Sequence, residues 1–233
     1  MAFKHGTAGR FYYHTLDYSA YAEQVESQLT RDLAEYRPLS GGHVVRVPGL
    51  RDASIALTGG ALDTAVGAND ANAWARFGED TERVFAYLPD GDALGSPAYC
   101  GVALGQNQQR VVGDDVIRLP VGLISADEFD RAIALRALAA GGISPASSHN
   151  NAASSATGGM AYLICTAFNA TDLSVVVEDS ANGTDWDTLV AMTALAAVGS
   201  EAKAVAGTVN QYLRVSWTLT GTSATWFLAF ARR

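Results

Sequence analysis

The chain has 233 residues, of which 48% are hydrophobic and 17% charged, and its formal net charge is −8. No segment approaches the roughly 18 consecutive apolar residues that cross a bilayer, and the acidic balance disfavours a protein that grips nucleic acid through clustered Lys and Arg. The first ten residues carry positive charge without a following apolar segment, so we expect no secretory signal and synthesis in a cytoplasm.

Residues 1–140 predict an irregular unit in which about seven strands accompany one or two helices. The strand candidates are short apolar or alternating segments bounded by turn residues. They are residues 9–15, 42–47, 53–58, 82–88, 98–104, 115–123 and 131–138.

Three segments of this unit carry helical signals. Residues 20–36 place Tyr21, Val25, Leu29 and Leu33 four apart, which is the stripe of an amphipathic helix. Residues 71–77 follow Asp70 and predict a short helix. Residues 125–128 have the pattern of a capping box, which competes with a loop before the strand at 131–138.

Residues 141–159 interrupt the pattern with glycine, serine, asparagine and one proline. Such a stretch buries too little apolar surface to order itself, so it predicts a flexible linker. The chain then divides into a domain at 1–140, a linker at 141–159 and a domain at 160–233.

The last domain predicts an all-β sandwich, because strands recur at short intervals without a convincing helix. In residues 212–219 apolar side chains alternate with polar ones. Further strands are expected at 160–168, 172–179 and 225–232, with turns at Asn182-Gly183 and at residues 221–223.

The sequence offers little that could carry catalysis or hold a cofactor. It has no nucleophile elbow, P-loop, dinucleotide-binding glycine pattern or zinc-protease motif, so we expect no enzyme, no cofactor and no metal site. Both cysteines lie in apolar segments and are interpreted as structural. The acidic turn at 179–187 departs from the EF-hand order and is interpreted as a hairpin turn. The histidines are interpreted as surface or structural residues; they are His5, His14, His43 and His149.

Several motifs, in order, resemble structural proteins of long-tailed bacteriophages. MAFKHG at the start, LDYSAY at 16–21 and VPGLRDASIALTGGALD at 47–63 resemble the tail-tube proteins of siphophages. VVVEDSANGTDWDTL and GTVNQYLRVSWTLTGTSATWFLAFARR resemble the C-terminal Ig-like domain of phage structural proteins. At 31–43 the sequence departs from the family, where a Thr-rich segment is usual.

The resemblance implies a mainly β fold: a tail-tube-type sandwich or barrel with a flanking helix, followed by an Ig-like sandwich displayed outward. It makes residues 131–138 a strand and residues 125–130 a loop. It implies homohexameric rings that stack into a tube in the virion tail, contacts with other tail and head-neck proteins, passage of DNA without tight binding, and no membrane insertion.

Two exposed connections are expected to form the contacts between rings, and a third to touch a neighbouring subunit. The ring-to-ring candidates are Phe3, Lys4, His5, Arg37, Pro38, Leu39 and Ser40. The subunit-contact loop comprises Gln106, Asn107, Gln108, Gln109 and Arg110.

Two alternatives remain open. One keeps the phage particle but makes the chain a head decoration or tail-terminator subunit. The other is a carbohydrate-binding module in which Trp186, Trp217 and Trp226 stack on sugars. Trp217 shares its strand face with Leu213, Val215 and Leu219, which argues for a core position instead.

Overall fold

A computed structural model describes residues 8–37, 43–113, 116–125 and 129–233. Over these ranges the protein is mainly β, with a large antiparallel sheet and one α-helix, which confirms the predicted fold class. A 3-10 turn covers Tyr18–Ala20. The elements in chain order are β1 (Arg10–Tyr13), β2 (Leu16–Asp17), β3 (Gln24–Tyr36), β4 (Val45–Thr58), α1 (Asn69–Phe77), β5 (Arg83–Leu88), β6 (Pro97–Gln108), β7 (Val111–Val112), β8 (Ile117–Arg118), β9 (Val121–Ser125), β10 (Asp130–Ala140), β11 (His149–Asn150), β12 (Gly159–Ser180), β13 (Asp187–Ala191), β14 (Gly199–Val205) and β15 (Tyr212–Arg232).

The chain forms two compact units whose limits differ from the expected domains. Unit 1 contains the described parts of Met1–Tyr21, Arg83–Val102 and Asp130–Arg233. Unit 2 contains those of Ala22–Glu82 and Ala103–Phe129. The expected boundary at 141–159 therefore lies inside unit 1, because strands from both sides of it share one sheet.

Unit 1 is organised around two very long antiparallel strands. β12 and β15 pair from Gly159 opposite Arg232 to Ser180 opposite Tyr212. β14 and β13 pair with the first and last parts of β12, while β10 and β11 pair with the two ends of β15. The four strands expected at 160–168, 172–179, 212–219 and 225–232 are thus two continuous strands.

The turn expected at 221–223 is wrong: Gly221 is part of β15 and lies opposite Ala170. The register shifts on both sides of Ala170, which marks a β-bulge. Gly221 has φ +129, a conformation that L-residues rarely adopt. The small polar residues that suggested a turn instead allow the paired strands to bend without ending.

Both faces of the first half of β12 are covered. Leu163 faces a cluster with Leu228 and Phe230, whereas Ile164 faces a second cluster with Tyr12 and Phe227. Successive residues of a strand point to opposite faces, so this half of β12 is apolar at nearly every position. The N-terminal strand β1 contributes to this core, which explains why residues 8–21 belong to unit 1.

Residues 141–158 are attached to the sheet by backbone hydrogen bonds. His149 lies opposite Leu213 in a short antiparallel pairing, and the Asn151 amide donates to the Gln211 carbonyl at 3.0 Å. Further along, Ser155 and Val209 exchange two backbone hydrogen bonds of 2.9 Å. This polar segment is ordered by hydrogen bonds to the start of β15 and to residues 209–211, which precede β15. It is not ordered by an apolar core of its own.

Unit 2 is built on β4, which pairs with β3 on one side and with β9 on the other. The helix expected at 20–36 is wrong, because residues 24–36 form β3. A spacing of four residues places side chains on one face of a helix and equally on one face of a strand. The residues three positions after Val25 and Leu29 are Gln28 and Asp32, which are both polar. A helix packed against a core would have apolar side chains at these positions as well.

The short helix expected at 71–77 is confirmed as α1. Asn69 fixes its start: the Asn69 side chain accepts from the Asp63 amide at 2.8 Å and donates to the Ala61 carbonyl at 2.7 Å.

Among the described residues no helix is long and apolar enough to span a membrane. The strand expected at 131–138 is confirmed within β10, whereas the segment 115–123 is divided between β8 and β9. Residues 126–128 of the capping-box pattern lie outside the described ranges.

Candidate assembly surfaces

The expected ring-to-ring residues fall largely outside the described part of the chain. Only Arg37 lies inside it; it follows β3 directly and is exposed. The candidates that cannot be placed are Phe3, Lys4, His5, Pro38, Leu39 and Ser40.

The expected subunit-contact loop is in large part a strand. Residues 106–108 belong to β6, where Asn107 lies opposite Gly122 and Gln108 opposite Val121 in β9. Gln109 and Arg110 follow the strand and are exposed. Polar residues in series suggested a loop, but pairing with β9 satisfies their backbone groups and leaves only the last two as a connection.

The hairpin of β3 and β4 has one face that begins inside a core. Along β4, Leu57, Ile55 and Ala53 are buried, and these residues lie opposite Val25, Ser27 and Leu29 of β3. Because alternate residues share a face, this set defines the inner face of the hairpin.

The inner face extends past Ala53, the last of its buried residues in β4. Beyond Leu29, β3 continues this face with Arg31 and Leu33; the register shifts between them, so that the backbone of Arg31 lies opposite Arg51 and that of Leu33 opposite Pro48. β9 pairs with β4 only as far as Ala53, so the described hairpin has two strands from there onward. We call this part, residues 30–37 and 45–52, the distal hairpin.

Apolar side chains on and beside the distal hairpin are open to solvent. Leu29 is 59% exposed and Leu33 is 55% exposed, and both lie on the inner face. Tyr36 is also exposed, on the opposite face. An isolated two-stranded ribbon is marginally stable in water, and a long apolar edge strand is a template for pairing with another chain. The apolar side chains of this surface are therefore left exposed by the described residues, although apolar side chains are normally buried.

The inner face of the distal hairpin carries excess positive charge. Arg46 and Glu35 form an ion pair of 2.7 Å and cancel one another. Arg31 is exposed, has no acidic partner among the described residues, and lies opposite Arg51 in the register. Arg31 therefore leaves a positive charge on this face with which a carboxylate of another copy could pair.

Helix α1 presents aromatic side chains to solvent. It buries only Asn69 and Ala73 of its residues, while Trp74 is 66% exposed and Phe77 is 51% exposed. The guanidinium of Arg110, which is paired with Asp70, lies 5.6 Å from the centre of the Trp74 ring. Residues three apart are neighbours on a helix surface, so the two rings form one exposed patch.

The rings of the three tryptophans considered for sugar stacking are in contact with other side chains of the protein. Trp226 is buried, and Trp217 packs against it edge to face with ring centres 5.3 Å apart. The guanidinium of Arg214 lies 4.1 Å above the Trp186 ring and pairs with Glu178 at 2.6 Å. The predicted core position of Trp217 is confirmed by its packing against the apolar cluster of unit 1.

The turn at Asn182-Gly183 joins β12 to β13 as expected. The Asn182 side-chain oxygen accepts from the backbone amides of Thr184 and Asp185, each at 2.9 Å. Gly183 adopts φ +77, as the residue after Asn in such a turn requires. Within the described ranges there is no group of three or more His, Cys, Asp or Glu placed to hold a metal ion.

The cysteines and two of the histidines are parts of unit 1. Cys100 and Cys165 are buried free thiols; burial raises the pKa of Cys100, and it raises that of Cys165 to about 11. His14 is buried, with its Nδ1 2.8 Å from the Ser200 hydroxyl. Burial, followed by the charge of Arg232, lowers the pKa of His149 below its ordinary value of 6.5. These are the environments of structural side chains.

No family model matches the chain, and no curated protein matches it. Among solved structures, a protein of the virion of a native gene transfer agent particle is similar at 16% identity and a TM-score of 0.43, over 55% of this chain and 98% of that one. The Dit protein of phage SPP1, described as a hub adsorption apparatus, is similar at 10% identity and a TM-score of 0.39, over 96% and 99% of the two chains. A protein of the phage p2 baseplate is similar at 8% identity and a TM-score of 0.36, over 97% and 98%. These scores are low, so the likeness by itself decides no role.

Proposed function

We propose that this chain is a non-enzymatic structural subunit of a long-tailed phage, which forms homohexameric rings that stack into the tail tube. The order of motifs in the sequence and the open surfaces of unit 2 support this proposal. The residues that resemble an Ig-like domain contribute β12 to β15, and their outward display on the tail is part of the same proposal.

One observation carries the proposal: the inner face of the β3–β4 hairpin runs past the end of its own core. A monomer gains nothing from exposing Leu33 on a two-stranded ribbon and Leu29 at its base, because apolar area exposed to water is unfavourable and an open edge invites aggregation. In a closed ring the same surface becomes a joint, since an identical neighbour covers it at every position.

The net charge is compatible with a conduit for DNA. A lumen that repels phosphate weakly lets a polyanion move, whereas many Lys and Arg contacts would hold it. The chain has 24 acidic and 16 basic residues, so an assembled ring carries a large negative charge. Acidic composition is common among proteins, and this point supports the proposal only alongside the hairpin.

The alternative roles within a phage particle differ in how copies associate. A tube subunit stacks ring on ring, so its assemblies grow with concentration. A tail terminator stops at a single ring, and a head decoration binds a capsid surface rather than itself.

Sugar binding through the three C-terminal tryptophans has little support in the geometry. Trp226 has no free face, and the best-placed ring, Trp186, already carries a guanidinium on one face. A glycan-array signal that disappears in Trp186→Ala would reverse this judgement.

The proposal is tested by light scattering on the purified full chain during size-exclusion chromatography over a concentration series. We expect the wild type to form particles with the mass of rings and stacked rings. The double variant Leu29→Ser/Leu33→Ser should remain monomeric with unchanged far-ultraviolet circular dichroism, because only exposed side chains are altered.

A matched control replaces two exposed apolar residues of unit 1, Ile143→Ser/Val198→Ser, and should assemble as the wild type does. If the wild type is a monomer at every concentration, or if the hairpin variant assembles normally, the proposed role of the hairpin is wrong.

A further inference from the structure

The aromatic patch on α1 is a second exposed apolar surface of unit 2, distinct from the hairpin. Trp74 and Phe77 lie one turn apart, and Arg110 covers only part of the Trp74 ring. Two large aromatic side chains exposed together on a nine-residue helix are unusual for a surface that stays in water. Aromatic residues are typical of the centres of protein interfaces.

The end of α1 adds negative charge beside this patch. Gly78 ends the helix, and Asp80 and Glu82 follow it, both exposed and without an ion-pair partner among the described residues. The neighbouring Arg76 is neutralised by Glu79. The last carbonyl groups of a helix also carry partial negative charge, which adds to that of the carboxylates.

The distal hairpin has the complementary character. Its inner face presents Leu33, and Leu29 lies at its base; the two flank Arg31, which has no acidic partner among the described residues. One surface is thus aliphatic and basic, and the other is aromatic and acidic. Complementary charge steers association and fixes the register of two apolar surfaces.

We propose that the α1 patch, formed by Trp74, Phe77 and Asp80, is the seat of the distal hairpin of a second copy of this chain. Leu29 and Leu33 pack against the two aromatic rings, and Arg31 pairs with Asp80. This inference rests on the proposed self-assembly and names the acceptor surface for it.

The contact joins two different surfaces, so it is head to tail. A heterologous contact of this kind either closes into a ring or propagates as a filament, whereas a contact between two identical surfaces would end at a dimer. The pairing of hairpin and helix therefore accounts for a closed ring of more than two copies, and the stacking of such rings needs a further contact.

A charge exchange tests the contact in the full chain. Arg31→Glu and Asp80→Arg should each raise the concentration needed for assembly by at least about tenfold, since each places like charges together. The double variant Arg31→Glu/Asp80→Arg should return to within about threefold of the wild type, because the ion pair is restored with its signs reversed. Arg10→Glu, at an exposed arginine of unit 1, is the matched control and should leave assembly unchanged.

A second experiment detects proximity directly. Leu33→Cys and Trp74→Cys variants are mixed and oxidised; the two natural thiols are buried and do not compete. We expect a disulfide-linked dimer from the mixture and much less from Leu33→Cys mixed with Ile143→Cys. Equal yields in the two mixtures would overturn the proposed seat.

The outcomes separate this inference from the function it rests on. If Leu29→Ser/Leu33→Ser abolishes assembly while Asp80→Arg and Trp74→Ser/Phe77→Ser leave it intact, the chain self-assembles through another acceptor and the α1 seat is wrong. If the wild type does not assemble at all, the proposed function fails with it.

Discussion

Arg136 is a buried guanidinium held without a carboxylate among the described residues, and its removal should destabilise unit 1. It donates to the carbonyl oxygens of Ala139 at 3.0 Å, of Trp226 and of Gly141. Its central carbon lies 3.8 Å from the centre of the Trp226 ring. Burial lowers the pKa of Arg136 to about 10, so it stays charged at neutral pH.

The variant Arg136→Met keeps an unbranched apolar stem but removes every donor. Hydrogen bonds from a charged group contribute about 1.5–3 kcal/mol each, and the contact with tryptophan rings adds about 1–2 kcal/mol. Relief of the buried charge offsets several kcal/mol of this. We expect a net loss of about 3 kcal/mol in the free energy of unfolding, or a fall of about 6–12 °C in Tm for a chain of this size.

The assay is thermal and chemical unfolding, with limited proteolysis of the native protein. Since Arg136 ties β15 to Ala139 and Gly141, Arg136→Met should also open new cleavage sites near residues 139–143. Arg136→Lys, which retains the charge but not the planar donor set, should be intermediate. An unchanged or raised Tm in Arg136→Met would show that the carbonyl cage contributes no net stability.

Three further predictions concern unit 1. Gly221→Val should lower the free energy of unfolding by more than about 2 kcal/mol, because a Cβ there would lie 2.6 Å from the backbone of β12 and φ is +129; chemical unfolding gives the value, and an unchanged midpoint would contradict the bulge. Cys100 and Cys165 should react with a thiol reagent only after denaturation, as both are buried; stoichiometric labelling of the native protein would refute this. Because the pKa of His149 is lowered in the folded chain, the unfolded chain binds a proton below about pH 6.5 that the folded chain does not. His149 therefore does not reduce the free energy of unfolding above pH 6.5 and reduces it as the pH falls, by a small amount because the ring is only partly buried and solvent screens its charge. His149→Gln should flatten that part of the stability profile between pH 7 and 5, and an identical slope in the variant would contradict the assignment.

The features that follow from neighbouring residues are the ones that sequence predicts here. The Asn182-Gly183 turn depends on one left-handed residue and one side chain that bonds its own backbone, and both are visible in the sequence. The helix α1 and the apolar strands at 82–88 and 131–138 depend on patterns of similar range. The buried positions of Cys100 and Cys165 follow from the apolar strands that contain them.

The features that depend on distant partners were not predictable in the same way. Residues 141–158 look like a linker because they have no core of their own, yet residues 209–213, far along the chain, supply their hydrogen bonds. The four-residue spacing of apolar side chains in residues 20–36 fits both a helix and a strand, and only pairing with β4 determines that residues 24–36 form a strand.

The same distinction, between features set by neighbouring residues and features set by distant partners, applies to the exposed surfaces. Leu33 lies beyond the point where β9 ends and Leu29 lies at that point, which no local pattern reveals. Trp74 and Phe77 can be noticed in the sequence, because they are large aromatic residues three apart on a predicted short helix, and residues three apart are neighbours on a helix surface.

The central claim is that copies of this chain close around a central hole and stack. Negative-stain electron microscopy of the concentrated wild-type protein tests it most directly. The account predicts end views with sixfold symmetry and a stain-filled centre, together with side views of stacked rings whose length grows with concentration. A field of separate, uniform monomers at the highest concentration reached would contradict it.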